Sequence, residues 1–143
     1  VGYGRCMGSA GATAVSERMR FTADLEDLLG ASDYVTIHVP ATADTKGMID
    51  AGAIAVMKDG AVFLNFSRDS LVDDAAMAEA LGSGKVSRYV TDFANPAVVA
   101  MDRAIVLPHL GASTAEAEDN CAMMAVQEVM DYLADGTKTH CVN

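Results

Sequence analysis

Apolar residues gather into four short runs, each followed by residues that favour turns: Tyr34–Val39, Ala61–Phe66, Arg88–Phe93 and Ala104–Leu107. Their β-branched and aromatic content and near-continuous apolarity read as strands covered on both faces, the pattern of a parallel sheet. Val1–Tyr3 reads as the end of a further strand. Helical patterns fill the gaps. Asp24–Leu29 precedes Gly30, a residue suited to the position after a helix; Asp50 is placed to cap Ala51–Met57, and Asp73 to cap Asp74–Leu81 ahead of Gly82. Ser113-Thr114-Ala115-Glu116 has the form of a capping box and opens the best-marked helix. Its apolar Ala122, Val126, Val129, Met130 and Leu133 recur at threes and fours, and Asp135-Gly136 closes it. Met123, Met124 and Met130 on this helix are expected to fill a core.

The first three strand runs begin at residues 34, 61 and 88, 27 residues apart, with a helix in each gap. That is the βαβ repeat of an open α/β sheet, in which crossovers are right-handed. The gap from 88 to 104 is shorter and reads as a loop.

Composition narrows the function. Ten Lys and Arg against 20 Asp and Glu give a net charge of −10, and 51% of the 143 residues are hydrophobic. Such a chain builds a real core and is not disordered. It lacks the clustered basic residues that bind nucleic acid; Arg5, Arg18 and Arg20 against Glu17 are too few. Its apolar runs fall far short of the ~20 residues of a membrane span, so a soluble cytoplasmic protein is expected. Cys6, Cys121 and Cys141 are scattered without CxxC spacing, which suits reduced thiols, not a disulfide framework or a zinc site. No metal site is expected, His140 and Cys141 in the polar tail included. The chain opens on Val1 without a signal-peptide pattern, and reads as a fragment of a longer protein.

Ligands of open α/β sheets bind outside the carboxyl ends of the strands. The residues delivered there are His38-Val39-Pro40, Asn65-Phe66-Ser67-Arg68, Asp92, and Pro108-His109-Leu110-Gly111-Ala112. Each of the charged or imidazole groups has an ordinary explanation alone: a hydrogen-bonded His, a solvated Arg, an Asx-turn Asp. Two His, one Arg and one Asp arriving at one edge from four strands argue for chemistry. Arg presents a rigid fork to a carboxylate. His exchanges a hydroxyl proton near neutral pH. Asp accepts the amide hydrogens of a carboxamide such as that of nicotinamide. Together these parts suit oxidation of a 2-hydroxy acid by a nicotinamide cofactor.

Several longer motifs stand in order: Asp33-Tyr34-Val35-Thr36-Ile37-His38-Val39-Pro40 with Thr42 and Thr45, then the stretch from Met57 to Arg68 with Leu71-Val72-Asp73. Tyr89-Val90-Thr91-Asp92-Phe93 and Pro108-His109-Leu110-Gly111-Ala112-Ser113-Thr114 follow. From about Asp24 to Asn143 the chain resembles the cofactor-binding domain of the D-isomer-specific 2-hydroxyacid dehydrogenases. The resemblance implies a Rossmann-like, doubly wound parallel sheet in three αβα layers, with residues 1–143 forming part of an NAD-binding domain and the substrate-binding domain absent. It implies Arg68 as the anchor of the substrate carboxylate and carbonyl, and His109 as the proton donor or acceptor. Asp92 would hold the nicotinamide carboxamide. NAD would be contacted by His38, Val39, Pro40, Phe66, Ser67, Arg68, Asp92, His109, Gly111 and Ala112, largely through backbone. The partners implied are a small 2-hydroxy or 2-keto acid and a second copy in a homodimer, with neither nucleic acid nor membrane.

The chain departs from the family pattern at named places. The glycine-rich GxGxxG turn that seats the pyrophosphate would precede Val1. Gly4 stands where the ribose-binding acid is expected, and Ala97 where the family pairs its His with a carboxylate. Asp69-Ser70 replaces the usual glycines after the Arg. Two rival readings therefore stand beside the dehydrogenase: a catalytically silent nucleotide-binding or interaction module of the same fold, and a purely structural assembly domain. A sheet cut short leaves an unpaired edge, so the isolated fragment is not expected to stay monomeric.

Overall fold

The computed structural model describes residues 2–3, 21–111 and 113–138. It divides into two units, Val1–Pro108 and His109–Asn143. In the first unit a short parallel pair joins β1 (Gly2–Tyr3) to β2 (Phe21–Thr22). Helix α1 (Leu25–Ala31) follows, then β3 (Tyr34–Ile37), α2 (Ala51–Val56), β4 (Ala61–Asn65), a 3₁₀ turn at Asp69–Leu71, α3 (Asp74–Ser83), β5 (Val86–Thr91), α4 (Pro96–Val99) and β6 (Ala104–Val106). The second unit is one helix, α5 (Ala115–Asp135).

Strands β3 to β6 lie in chain order, all parallel. Right-handed crossovers between strands laid down in one direction place their helices on one face of the sheet. Burial follows from that. Along β3, Val35 is 4% exposed while Tyr34 is 75% exposed, and along β4 Ala61, Phe63 and Asn65 are buried between half-buried neighbours. The strands therefore alternate instead of burying both faces continuously. The covered face carries the core, in which Phe63 and Tyr89 sit opposite one another in register with ring centroids 6.0 Å apart. Leu29, Ile54, Met77 and Leu81 from the helices complete it.

The caps show where local chemistry and pattern diverge. Asp24, Asp50 and Asp73 each accept a backbone N–H from the first turn of the helix they precede. Helix α1 runs through Gly30 to Ala31, so Gly30 is interior, and α3 runs through Gly82 to end at Gly84, whose φ of 81° supplies the left-handed cap. The cap of α5 is Thr114, not Ser113: its hydroxyl accepts from the Ala117 N–H, and Gly136 at φ 79° closes the helix. The gap before β6 holds α4, capped by Asn95 and opened by Pro96, where a loop was expected. The expected core positions of α5 are exposed: Met123 is 72% exposed, Val126 60%, Met130 58% and Leu133 78%. A single helix has no second layer within its own unit to bury an apolar stripe against.

Strand ends are trimmed by their own side chains and by proline. β3 stops at Ile37, two residues short of Val39, because Pro40 lacks an N–H and restrains the residue before it. β4 stops at Asn65, whose amide turns inward to the following loop.

Candidate functional site

Register sets the geometry of the sheet's carboxyl edge. Ile37 pairs with Asn65, Asn65 with Thr91, and Thr91 with Val106, so four strands end in one row. The next residues, His38, Phe66, Asp92 and Leu107, leave the sheet side by side. This is the edge where open α/β sheets bind ligands.

Hydrogen bonds tie the loops of this edge together. His38 is exposed and its Nε2 lies 2.8 Å from the Thr36 hydroxyl. The Ser67 hydroxyl donates to the Val39 carbonyl, linking the segment after β3 to the segment after β4. Beyond Pro40, the buried Thr45 closes a tight turn: its hydroxyl donates to the Pro40 carbonyl at 2.6 Å and accepts from the Thr42 N–H at 2.8 Å. The Thr91 hydroxyl accepts from the Phe93 N–H and shapes the turn that carries Asp92.

Arg68 is exposed, and one of its guanidinium N–H groups donates to the Ser67 carbonyl at 2.6 Å. A guanidinium has five N–H donors, so the fork retains donors for a ligand. Phe66, 39% exposed, offers an apolar ring face beside it. Asp69 turns its carboxylate to the Ser70 N–H at 2.7 Å.

The structure thus brings together His38, Val39, Pro40, Phe66, Ser67, Arg68 and Asp92 at one edge of the first unit. His109 and Gly111, both exposed, belong to the second unit. Ala112 and Gly4 lie outside the described residues, as do Cys6, Cys141 and His140. Ala97 sits exposed in the first turn of α4, and the neighbouring Asn95 does the local polar work: its Oδ1 accepts from the Val98 N–H, and its amide donates to Asp74 at 2.9 Å. In the sequence Asn65 and Thr45 stand only as parts of longer motifs. Their roles depend on burial, and Asn65 in an otherwise apolar run was the available signal.

Ionisation at and around the edge follows burial. Desolvation raises the Tyr89 hydroxyl above its ordinary 10.0, against hydrogen bonds from Asn65 and Thr91 that lower it. At the opposite end of the strands, a hydrogen bond and charge attraction from Lys85 hold the Asp59 carboxyl below its ordinary 3.8. A groove of about 390 Å³ between α2 and α3, lined by alanines with Ile54, Glu79, Ser83 and Lys85, holds none of the site residues. Among the described residues no helix is long and apolar enough to cross a membrane, and no three His, Cys, Asp or Glu side chains group to hold a metal.

The edge offers a half-buried carboxylate at Asp92, an exposed aromatic residue at Phe66, and backbone groups on two joined loops. Among the described residues there is no glycine-rich strand-to-helix turn for a pyrophosphate.

Residues 5–111 match the family described as D-isomer specific 2-hydroxyacid dehydrogenase, NAD binding domain. D-3-phosphoglycerate dehydrogenase of Mycobacterium bovis is 38% identical over 125 residues, 83% of this chain and 24% of that protein. The chain therefore spans about a quarter of that relative's length. A glyoxylate reductase from Paecilomyes thermophila superposes with a TM-score of 0.81 at 26% identity, covering 91% of this chain and 41% of its own. A D-isomer specific 2-hydroxyacid dehydrogenase from Xanthobacter autotrophicus Py2, solved with NADPH and MES, superposes with a TM-score of 0.70 at 31% identity, covering 83% of this chain and 51% of its own. The open parallel sheet, the carboxyl-edge residues and these similarities converge: the chain belongs to the D-isomer specific 2-hydroxyacid dehydrogenases, as their NAD-binding domain.

Proposed function

We propose that this domain serves NAD-dependent oxidation of a D-2-hydroxy acid, with 3-phosphoglycerate as substrate and 3-phosphohydroxypyruvate as product, the reaction that leads into serine synthesis. The substrate follows from the relatives' names. The observation that carries the chemistry is the row of strand ends, from which the segments bearing Phe66, Arg68 and Asp92 leave one edge of the sheet. Arg68 anchors the substrate carboxylate through the donors of its fork. Asp92 would accept the carboxamide hydrogens of nicotinamide and so help hold that group at the strand ends. By the resemblance, His38, Val39, Pro40, Phe66, Ser67, Gly111 and Ala112 would contact the cofactor, mainly through backbone. Bound NAD supplies the hydride acceptor. His109 takes the hydroxyl proton during oxidation and returns it during reduction, so the alcohol loses a hydride and a proton and becomes a ketone. A homodimer in the cytoplasm is the setting proposed for the whole protein.

Steady-state kinetics of the intact protein with NAD and 3-phosphoglycerate test this. Arg68→Ala is expected to raise KM, and His109→Ala to lower kcat by about 10²–10⁴-fold. Turnover unaffected by either substitution overturns the assignment. Absence of turnover with every 2-hydroxy acid, with NADH still bound, favours the silent nucleotide-binding module.

A further inference from the structure

Asn65 ends β4 at 0% exposure, in a strand whose other inward residues are Ala61 and Phe63. A buried carboxamide is tolerated only when its polar atoms are paired, and an apolar residue would serve the sheet better. Its bonds point to the reason for an amide. The Oδ1 accepts from the Ser67 N–H at 3.1 Å, while Nδ2 donates to the Arg68 carbonyl at 2.8 Å and reaches the Tyr89 hydroxyl at 3.5 Å. One side chain thus grips the loop on both sides of the Ser67–Arg68 peptide. The Arg68 carbonyl also accepts from Leu71, at 3.4 Å, and the buried Leu71 and its neighbour Ser70 are held by the Ile49 and Gly47 N–H groups at 3.0 and 2.8 Å. The backbone of Arg68 is fastened from beneath, while its guanidinium stands in solvent.

We propose that Asn65 is a positioning residue for Arg68: its carboxamide, itself held by Tyr89, fixes the height and direction from which the guanidinium meets a substrate carboxylate. The inference rests on Arg68 being that anchor. An Asp at this position keeps the acceptor for Ser67 N–H but, as a carboxylate, has no hydrogen to donate to the Arg68 carbonyl. An Ala removes both bonds.

The test is a double-mutant cycle on the intact protein. Oxamate, a non-reducible 2-keto acid analogue, is titrated at NADH saturation against the parent, Asn65→Asp, Arg68→Ala and the double variant, so that changes in cofactor affinity do not enter. Asn65→Asp is expected to weaken oxamate by about tenfold, and to add less than about twofold in the Arg68→Ala background, because a residue acting through Arg68 has nothing left to position. Multiplying fold-changes in the double variant overturn the proposal and leave Asn65 a residue of the fold. If Arg68→Ala alone leaves oxamate affinity unchanged, the anchor reading fails and this one with it. The neutral Asn65→Ala pair runs the same cycle should a carboxylate beside the Tyr89 hydroxyl prevent folding.

Discussion

Thr45 offers a direct test of whether the carboxyl-edge loops are built as the geometry describes. The residue is 5% exposed, and its hydroxyl both donates to the Pro40 carbonyl at 2.6 Å and accepts from the Thr42 N–H at 2.8 Å. Thr45→Val keeps the shape and removes both bonds together with the 3.1 Å bond to the Thr42 hydroxyl. At roughly 1 kcal/mol net for each partly buried hydrogen bond, the loss is about 2–3 kcal/mol. With a urea m-value of about 2 kcal/mol/M for a domain of this size, the unfolding midpoint falls by about 1–1.5 M. Thr45→Ser keeps the hydroxyl and gives up one methyl group, so its cost stays near 1 kcal/mol. Because the turn begins at Pro40, Thr45→Val also weakens NADH binding while Thr45→Ser does not. Urea unfolding followed by circular dichroism, with NADH titration of the folded variants, measures both. A Thr45→Val midpoint equal to the parent's, or a Thr45→Ser as damaging as Thr45→Val, refutes the reasoning.

Further expectations come from glycines and titrating groups. Gly84 caps α3 at φ 81°, where an added Cβ meets only Arg103 Nη1 at 3.8 Å, so Gly84→Ala destabilises by about 1–2 kcal/mol through backbone strain alone. Gly82 lies inside α3 with nothing within 4 Å of an added Cβ, so Gly82→Ala stabilises by about 0.5–1 kcal/mol in the same unfolding assay. Tyr89 titrates above 10.0 because burial penalises its phenolate; the folded state holds the proton more tightly than the unfolded one, so its contribution is intact below pH 10.0 and is lost as pH rises through the folded value. Phenolate absorbance of the parent and Tyr89→Phe should show a component titrating above 10.0 disappear in the variant. Asp59 titrates below 3.8 chiefly through its hydrogen bond from Lys85, so its contribution is present above pH 3.8 and lost as pH falls through the folded value; Lys85→Met moves its NMR titration back toward 3.8.

The sheet was legible because its strands are apolar runs at regular spacing with a capped helix in each gap, and each Asp cap is a local interaction that a sequence carries openly. Helix ends at glycine were less so. Gly30 and Gly82 look like stops, yet only Gly84 adopts the left-handed backbone that ends α3, and three neighbouring residues, Gly82-Ser83-Gly84, do not announce which glycine that will be. The short α4 was written in Asn95-Pro96, a cap followed by a first-turn proline. Exposed His38 and Arg68 and half-buried Asp92 stand just beyond the strand ends, where the sequence pattern points. The clamps beneath them could not be found in that way, because Asn65 and Thr45 differ from surface polar residues only in burial and in partners set by register. The α5 stripe carries the right period for a core face, but period says nothing of which surface covers it.

The central claim is that the carboxyl edge holding Asp92 receives the nicotinamide of NAD(H). Calorimetric titration of the intact protein with NADH tests it most directly. Saturable one-to-one binding that weakens about tenfold or more in Asp92→Ala is the expected result, the size of one or two lost charge-assisted hydrogen bonds. Equal affinity in the parent and a folded Asp92→Ala variant contradicts the account.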